Sequence, residues 1–312
     1  MVRERKGTEG RMNIIEARPQ LYLIGLEQQM ERFVTFIGSW ASAGDFNFLV
    51  DVGPKASVGQ LVEGLKTIGI KGVDFIFLTH IHIDHAGGTG TLIQQFPEAR
   101  VICHPSGIKH LIDPKKIWEA SKKSLGEVAL QYGEIDPVPE ENIFPSSECE
   151  LKGFQLINTP GHAPHHISLL HKKYLFVGDA VGVFRNVDGL LYLRPSLQPK
   201  FDLEETMISV DRLLKSDGEE ICYAHFGIHS DAKGMLRRYK NQLFLWRDVI
   251  SEQSKYFEGE ELIDRCVTVL LEKDESLGSF SDLSKEEKKR EIDSIKMGIQ
   301  LFLEYLASGN LR

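Results

Sequence analysis

Leu78-Thr79-His80-Ile81-His82-Ile83-Asp84-His85-Ala86-Gly87-Gly88 is the stretch that decides this chain. It closes the apolar run Val73–Leu78, which reads as a buried strand. Four metal-capable side chains fall within six residues, and three of the 11 histidines of the chain are used here. His80 and His82 are two apart, so in an extended or turning segment they point the same way. Asp84 and His85 are adjacent and diverge. One loop can therefore supply ligands to two neighbouring metals, and imidazole with carboxylate suits zinc, iron or manganese. A lone histidine is usually a satisfied core or surface residue, whereas a run this dense is not. Gly87 and Gly88 let the backbone turn tightly into the next helix.

Further candidates sit at the ends of later apolar runs. Asn158-Thr159-Pro160-Gly161-His162 follows the strand candidate Phe154–Ile157, Gly178-Asp179 follows the one ending at Val177, and Ala224-His225 follows Ile221–Tyr223. Each alone is weak. With the first cluster they make seven ligand-type side chains, enough for two metals.

The rest of the first half alternates short strands and helices, which indicates an α/β protein with helix-covered sheets. Strands are expected at Gln20–Leu26, Thr35–Ile37, Phe46–Val50, Arg100–Cys103, Phe154–Thr159, Ile167–Leu170 and Tyr174–Val177. A helix is expected over Ser57–Ile68, with Ser57 as N-cap, Gln60 three residues on and Gly69 past the end. Asp113-Pro114 should open a helix at Lys115–Gln131 that Gly133 ends. Beyond His225 the chain reads as all-helical, at Asp231–Tyr256, Glu260–Glu272 and Ser284–Ser308. Ser284 and Glu287 form a capping box for the last, and Gly309 stops it. Its stripe Ile292, Ile295, Ile299, Phe302, Leu303, Leu306 reads as core packing, with a homodimer face as the sharper option.

The run T-H-I-H-I-D-H-A-G-G, then T-P-G-H, then G-D-A and a late strand-end histidine resembles the metallo-β-lactamase superfamily over residues 45–230. The resemblance implies an α/β fold, the αβ/βα four-layer sandwich, here with a helical insertion at about 106–150 and a C-terminal helical extension. It implies a catalytic domain at 13–230 and the extension at 231–312. His80, His82 and His162 then look like one metal site, Asp84, His85 and His225 like a second, and Asp179 like the carboxylate bridging them. Asp51, which ends the Phe46–Val50 strand, matches the early aspartate of the family and would orient a ligand from behind. The implied cofactors are two divalent metal ions, zinc first, with iron or manganese open. The implied reaction is hydrolysis of a small ester, thioester or lactone by a hydroxide shared between the metals, with Asp84 holding or shuttling the proton. A phosphodiesterase or nuclease, and a mononuclear-iron persulfide dioxygenase, are the alternatives. His82 stands where flavodiiron-type relatives carry glutamate, which disfavours reduction of oxygen or nitric oxide.

Arg185 and Arg194, with Lys200, follow Asp179 and are expected to clamp an anionic substrate group or to be solvated loop cations, while Tyr192 would line the pocket or pack the loop. The insertion from Ser106 to Tyr132 would cap the pocket, or present Trp118, Leu125 and Leu130 to a second copy.

Composition sets the outer limits. The 312 residues carry 37 Lys plus Arg against 45 Asp plus Glu, a net charge of −8, with 42% hydrophobic and 26% charged residues. That excludes a disordered or fibrous chain. No apolar run is long enough to span a bilayer. The acidic balance argues against nucleic-acid and membrane partners, leaving a small-molecule substrate. Cys103, Cys149, Cys222 and Cys266 form no C-x-x-C pair. Met1–Arg11 is charged, lacks a signal-peptide core and reads as a frayed end, so the expected location is cytoplasmic.

Overall fold

The structure, a computed structural model, describes residues 3–6, 13–34, 36–187 and 189–308. The chain divides into two compact units, Met1–Leu156 with His165–Lys172, and Ile157–Pro164 with Lys173–Arg312.

The first unit is built on an eight-stranded sheet in chain order: β1 (Arg3–Lys6), β2 (Asn13–Arg18), β3 (Leu21–Leu26), β4 (Ile37–Ser42), β5 (Phe48–Val50), β6 (Phe75–Phe77), β7 (Arg100–Cys103) and β8 (Ile143–Pro145). Strands β1 to β5 run antiparallel to their neighbours, and β5 to β8 are parallel. Parallel neighbours need crossovers, and helices supply them. These are α1 (Val58–Thr67), α2 (Ile83–Ala86), α3 (Thr89–Ile93), α4 (Ile108–Ile112), α5 (Lys115–Leu125) and α6 (Glu127–Tyr132). The strands β9 (Phe154–Asn158) and β10 (Ile167–His171) follow. Phe48, Phe77 and Phe154 pack ring on ring, with Phe154 lying 5.2 Å from Phe48 and 5.1 Å from Phe77. The edge-to-face and stacked contacts fix this core beyond simple burial.

The second unit carries β11 (Tyr174–Phe176), the hairpin β12 (Val183–Val187) and β13 (Leu190–Arg194), α7 (Leu203–Leu214), β14 (Glu220–Tyr223), β15 (Gly227–His229), and three long helices. These are α8 (Ala232–Gln253), α9 (Gly259–Lys273) and α10 (Lys285–Ala307). Strand β11 is parallel to β14, and β14 antiparallel to β15. The expected capping box is present: Ser284 accepts from Glu287 N, and Ser284 N donates to the Glu287 carboxylate. Ile295, Ile299 and Phe302 of the predicted stripe are buried, while Ile292, Leu303 and Leu306 are half-buried.

Four local expectations change. Residues Arg3–Lys6 of the supposedly frayed N-terminus pair with β2, a main-chain partnership that composition does not reveal. The helix expected over Lys115–Gln131 is two helices, because Gly126 leaves the helical region at φ 57°. Ser57 does not cap α1. It sits in a preceding helical turn and accepts from Gln28, while Gln60 turns away to pair with both main-chain groups of Glu27. A hairpin, β12–β13, stands where loop is expected; the Asp188-Gly189 pair in the sequence is a hairpin signal. Thr35 and Gly309, at the edges of an expected strand and helix, lie outside the described residues.

Candidate metal centre

In the first unit, donors gather where the parallel strands β5 and β6 end, the edge at which open α/β sheets place their sites. Asp51 follows β5 in the left-handed region, φ 59°. A non-glycine residue there costs about 1 kcal/mol. The chain holds it with two hydrogen bonds: Ser39 Oγ donates to Asp51 O at 2.7 Å, and Asp51 N to Phe77 O at 2.9 Å. The turn aims the carboxylate at the histidine loop. Asp51 Oδ1 accepts from Thr79 N at 2.8 Å, and Oδ2 accepts from Thr79 Oγ1 at 2.8 Å. His85 Nδ1 lies 2.9 Å from Asp51 Oδ2, and His80 Nδ1 lies 3.0 Å from Thr79 Oγ1.

This network sets the tautomers. The single hydroxyl proton of Thr79 goes to the carboxylate, so His80 Nδ1–H donates to Thr79 Oγ1. His85 Nδ1–H donates to Asp51 directly. Both rings then present Nε2 lone pairs, the form in which imidazole binds metal. Asp51, His80 and His85 are all at most 2% exposed, so competing water is excluded. The expected orienting role of Asp51 thus has a geometry, and Thr79 joins it as a residue the sequence reading overlooked.

The loop brings its donors together. The His80 ring is 4.5 Å from His82 and 4.1 Å from His85. Asp84 and His85 were expected to diverge. Instead Asp84 Oδ2 lies 3.6 Å from His85 Nε2, both within the short helix α2. Gly87 and Gly88 hold ordinary helical angles, so their role is close approach rather than a turn. A Cβ on Gly88 would lie 2.6 Å from Val58 Cγ2. His166 is buried and stacked 5.0 Å from the His80 ring, and Ile167 N donates to Thr79 O at 2.7 Å.

In the second unit, three donors come from separate places. Asp179 and His225 follow the parallel strands β11 and β14, so they emerge at one edge. His162 comes from the loop after β9, where Gly161, φ 138°, lies against α7; a Cβ there would meet Thr206 Oγ1 at 2.6 Å. Asp179 Oδ2 lies 3.6 Å from His162 Nε2, and Asp179 Oδ1 lies 3.3 Å from His225 Nε2. These separations are longer than good hydrogen bonds. They match the ~3.4 Å between two donors each ~2.1 Å from one tetrahedral ion. The donors of each unit, imidazole nitrogens and carboxylates, therefore fit divalent metal.

Ser196 ties two of these donors to one residue. His162 Nδ1 donates to Ser196 O at 2.8 Å, which again leaves Nε2 as the lone pair. Ser196 Oγ donates to Asp179 Oδ2 at 2.9 Å. Nothing in the sequence around Ser196 marks it; only the fold returns it to the strand ends.

The residues expected to clamp substrate are occupied. Arg185 pairs with Glu287, and Arg194 with Glu291, both carboxylates of α10. Tyr192 is fully buried and donates to Glu291 at 3.0 Å. Burial alone would raise the Glu291 carboxyl, but Arg194 and Arg290 outweigh it and hold it down at about 2. Arg194 also donates to Pro195 O, so the buried pair anchors the segment that carries Ser196. Phe184 stacks 4.8 Å from Tyr223 as core, and His229 accepts from Asp231 N. Lys200 is exposed.

Comparison with known proteins supplies the context. The profile of the Metallo-beta-lactamase superfamily matches residues 32–225, well over half of the chain. A metallo-beta-lactamase fold-containing protein of Sulfurisphaera tokodaii is 33% identical over 167 residues, 51% of this chain and 62% of its own. A protein named probable metallo-hydrolase from Methanocaldococcus jannaschii is 33% identical over 147 residues, 46% of this chain and 66% of its own. The hydroxyacylglutathione hydrolase of Salmonella arizonae is 28% identical, over 57% of this chain and 56% of its own. The chain thus spans less than two thirds of the length of these relatives. Among solved structures, an archaeal metallo-beta-lactamase superfamily protein from Sulfolobus tokodaii aligns with TM-score 0.60 at 24% identity, covering 83% of this chain and 98% of that one. A metallo-beta-lactamase family protein from Thermus thermophilus aligns with TM-score 0.59 at 22% identity, covering 88% and 94%. At these identities the likeness gives the fold alone, the α/β sandwich expected from the motifs. With well over half of its length matched and the His/Asp clusters in place, the chain belongs to the metallo-beta-lactamase superfamily.

Proposed function

We propose that the protein is a metal-dependent hydrolase of small acyl esters, thioesters first. The observation that carries this reading is Asp179, whose two oxygens each face a different imidazole, at 3.6 and 3.3 Å. A carboxylate so placed suits a role between two ions. By the family resemblance, His80, His82 and His162 would hold one ion and Asp84, His85 and His225 the other, with Asp179 available to both. Zinc is the first choice for this donor set. When bound, such ions supply Lewis acidity and lower the pKa of a water from ~15.7 to ~7.

The protein side of the chemistry follows from its own residues. Asp51, Thr79 and Ser196 keep imidazole lone pairs and carboxylate oxygens aimed before substrate arrives, which spares reorganisation. Asp84 is 23% exposed at its side chain, unlike the buried His80 and His85 beside it, and so is the carboxylate placed to hold or pass a proton at its Oδ atoms. Asp84→Asn should keep the fold and lose most activity; full activity would remove this role. Thioesters lead because relatives are named hydroxyacylglutathione hydrolases. The catalytic segment is taken as 13–230, with 231–312 as a helical extension, acting on a small molecule.

Elemental analysis of the purified protein, with a panel of thioester, lactone and phosphodiester substrates, tests the reading. Two zinc ions per chain and thioester turnover are expected. One iron per chain with sulfur-dependent oxygen uptake would replace the hydrolase by a persulfide dioxygenase. Phosphodiester turnover alone would replace it by a phosphodiesterase.

A further inference from the structure

Beside the histidine loop of the first unit lies a cleft of about 470 Å³. His82 and His165 form one wall, Ile81 and Ile117 supply apolar surface, and Lys109 of α4 and Lys116 of α5 stand on the rim. On the same unit Lys55 pairs with Asp136 and Lys122 with Glu119. Among the described residues, neither Lys109 nor Lys116 has a carboxylate partner, and no acidic side chain lines the cleft. His110 lies between them. Burial, then the charges of Lys109 and Lys116, hold its pKa below the ordinary histidine value. Two uncompensated cations thus face a pocket that ends at a proposed metal ligand.

We propose that this cleft is the acyl-chain subsite and that the substrates carry a carboxylate at the far end of a short apolar acyl chain. The inference rests on the hydrolase reading above and names its substrate class. The scissile carbonyl would sit toward His82, the methylene chain along Ile81 and Ile117, and the terminal anion between Lys109 and Lys116. The two ammonium groups are exposed, so their effect is on binding and is screened by salt. They act far from the bond that breaks, which puts their contribution in KM rather than kcat.

The test compares glutaryl and butyryl thioesters of N-acetylcysteamine, which share a leaving group and differ at the chain end. The expected result is a KM roughly tenfold lower for the glutaryl ester, the order for two exposed ion pairs acting together. The double variant Lys109→Ala/Lys116→Ala should erase that difference by raising only the glutaryl KM, with kcat unchanged. Equal KM values in the unaltered protein, or a preference that survives the double variant, would overturn the proposal. A second measurement does not need turnover. Calorimetric titration of the purified protein with hexanoate and with hexanamide should show hexanoate binding more tightly, and the double variant should lose the advantage. If no thioester is cleaved but hexanoate behaves as expected, the hydrolase reading falls and the anion subsite stands. If thioesters are cleaved but hexanoate and hexanamide bind alike, the subsite falls and the hydrolase reading stands.

Discussion

The two units arrange the same kind of chemistry in opposite ways. The first places His80, His82, Asp84 and His85 on one short loop and orients two of them, His80 and His85, from a single carboxylate, Asp51, through Thr79-mediated and direct hydrogen bonds. The second collects His162, Asp179 and His225 from three separate strand ends and orients two of them from a single serine, Ser196. The first arrangement is local because its support lies in the adjoining strands. The second depends on long-range packing, through Arg194 and Glu291, of a hairpin against the last helix. Local support is sturdy against distant change; long-range support is not.

The largest expected effect tests whether the two sets act as one centre. His80→Ala and His162→Ala should each remove metal from the same site and abolish hydrolysis. Loss of different ions by the two variants, measured by elemental analysis, would separate the sets. Next comes Glu291→Gln, which leaves Arg194 buried without its charge partner and should cost about 3–5 kcal/mol by chemical denaturation. Its pH dependence has a definite sign. The Glu291 carboxyl lies at about 2 in the folded protein against an ordinary 4.5, so its contribution is full above pH 4.5. The gap between parent and variant should therefore shrink only as pH falls from about 4.5 toward about 2.

Asp51→Asn should weaken metal binding about 10- to 100-fold, read by chelator competition, because two imidazoles lose their orienting carboxylate. The smallest effect is expected of Ser196→Ala. It removes only the hydrogen bond to Asp179, worth about 1 kcal/mol, and leaves the main-chain contact to His162 intact. A Ser196→Ala loss as large as that of Asp51→Asn would show that the dispersed set is the more sensitive one.

Legibility followed the same division. His80, His82, Asp84 and His85 were visible as a cluster because one loop carries them all. His162, Asp179 and His225 were visible only as strand-end residues, and their grouping rested on resemblance. Parallel strands Tyr174–Phe176 and Glu220–Tyr223 bring the last two to one edge. Arg185 and Arg194 illustrate the reverse failure. Their charge and position after Asp179 suggested an anion clamp, but the partners that neutralise them, Glu287 and Glu291, lie about a hundred residues later. Charge is written in the sequence; its compensation is not.

The sequence by itself determined the donor types, their order and the strand-loop pattern that presents them, because alternation of apolar residues and the residue chemistry of ligands are local properties. Only the tertiary structure decided which donors are held by Asp51 and which by Ser196, which cations are neutralised, and that Lys109 and Lys116 face a cleft without carboxylates. Those outcomes depend on hydrogen bonds and burial between residues far apart in the chain, and no local pattern encodes them.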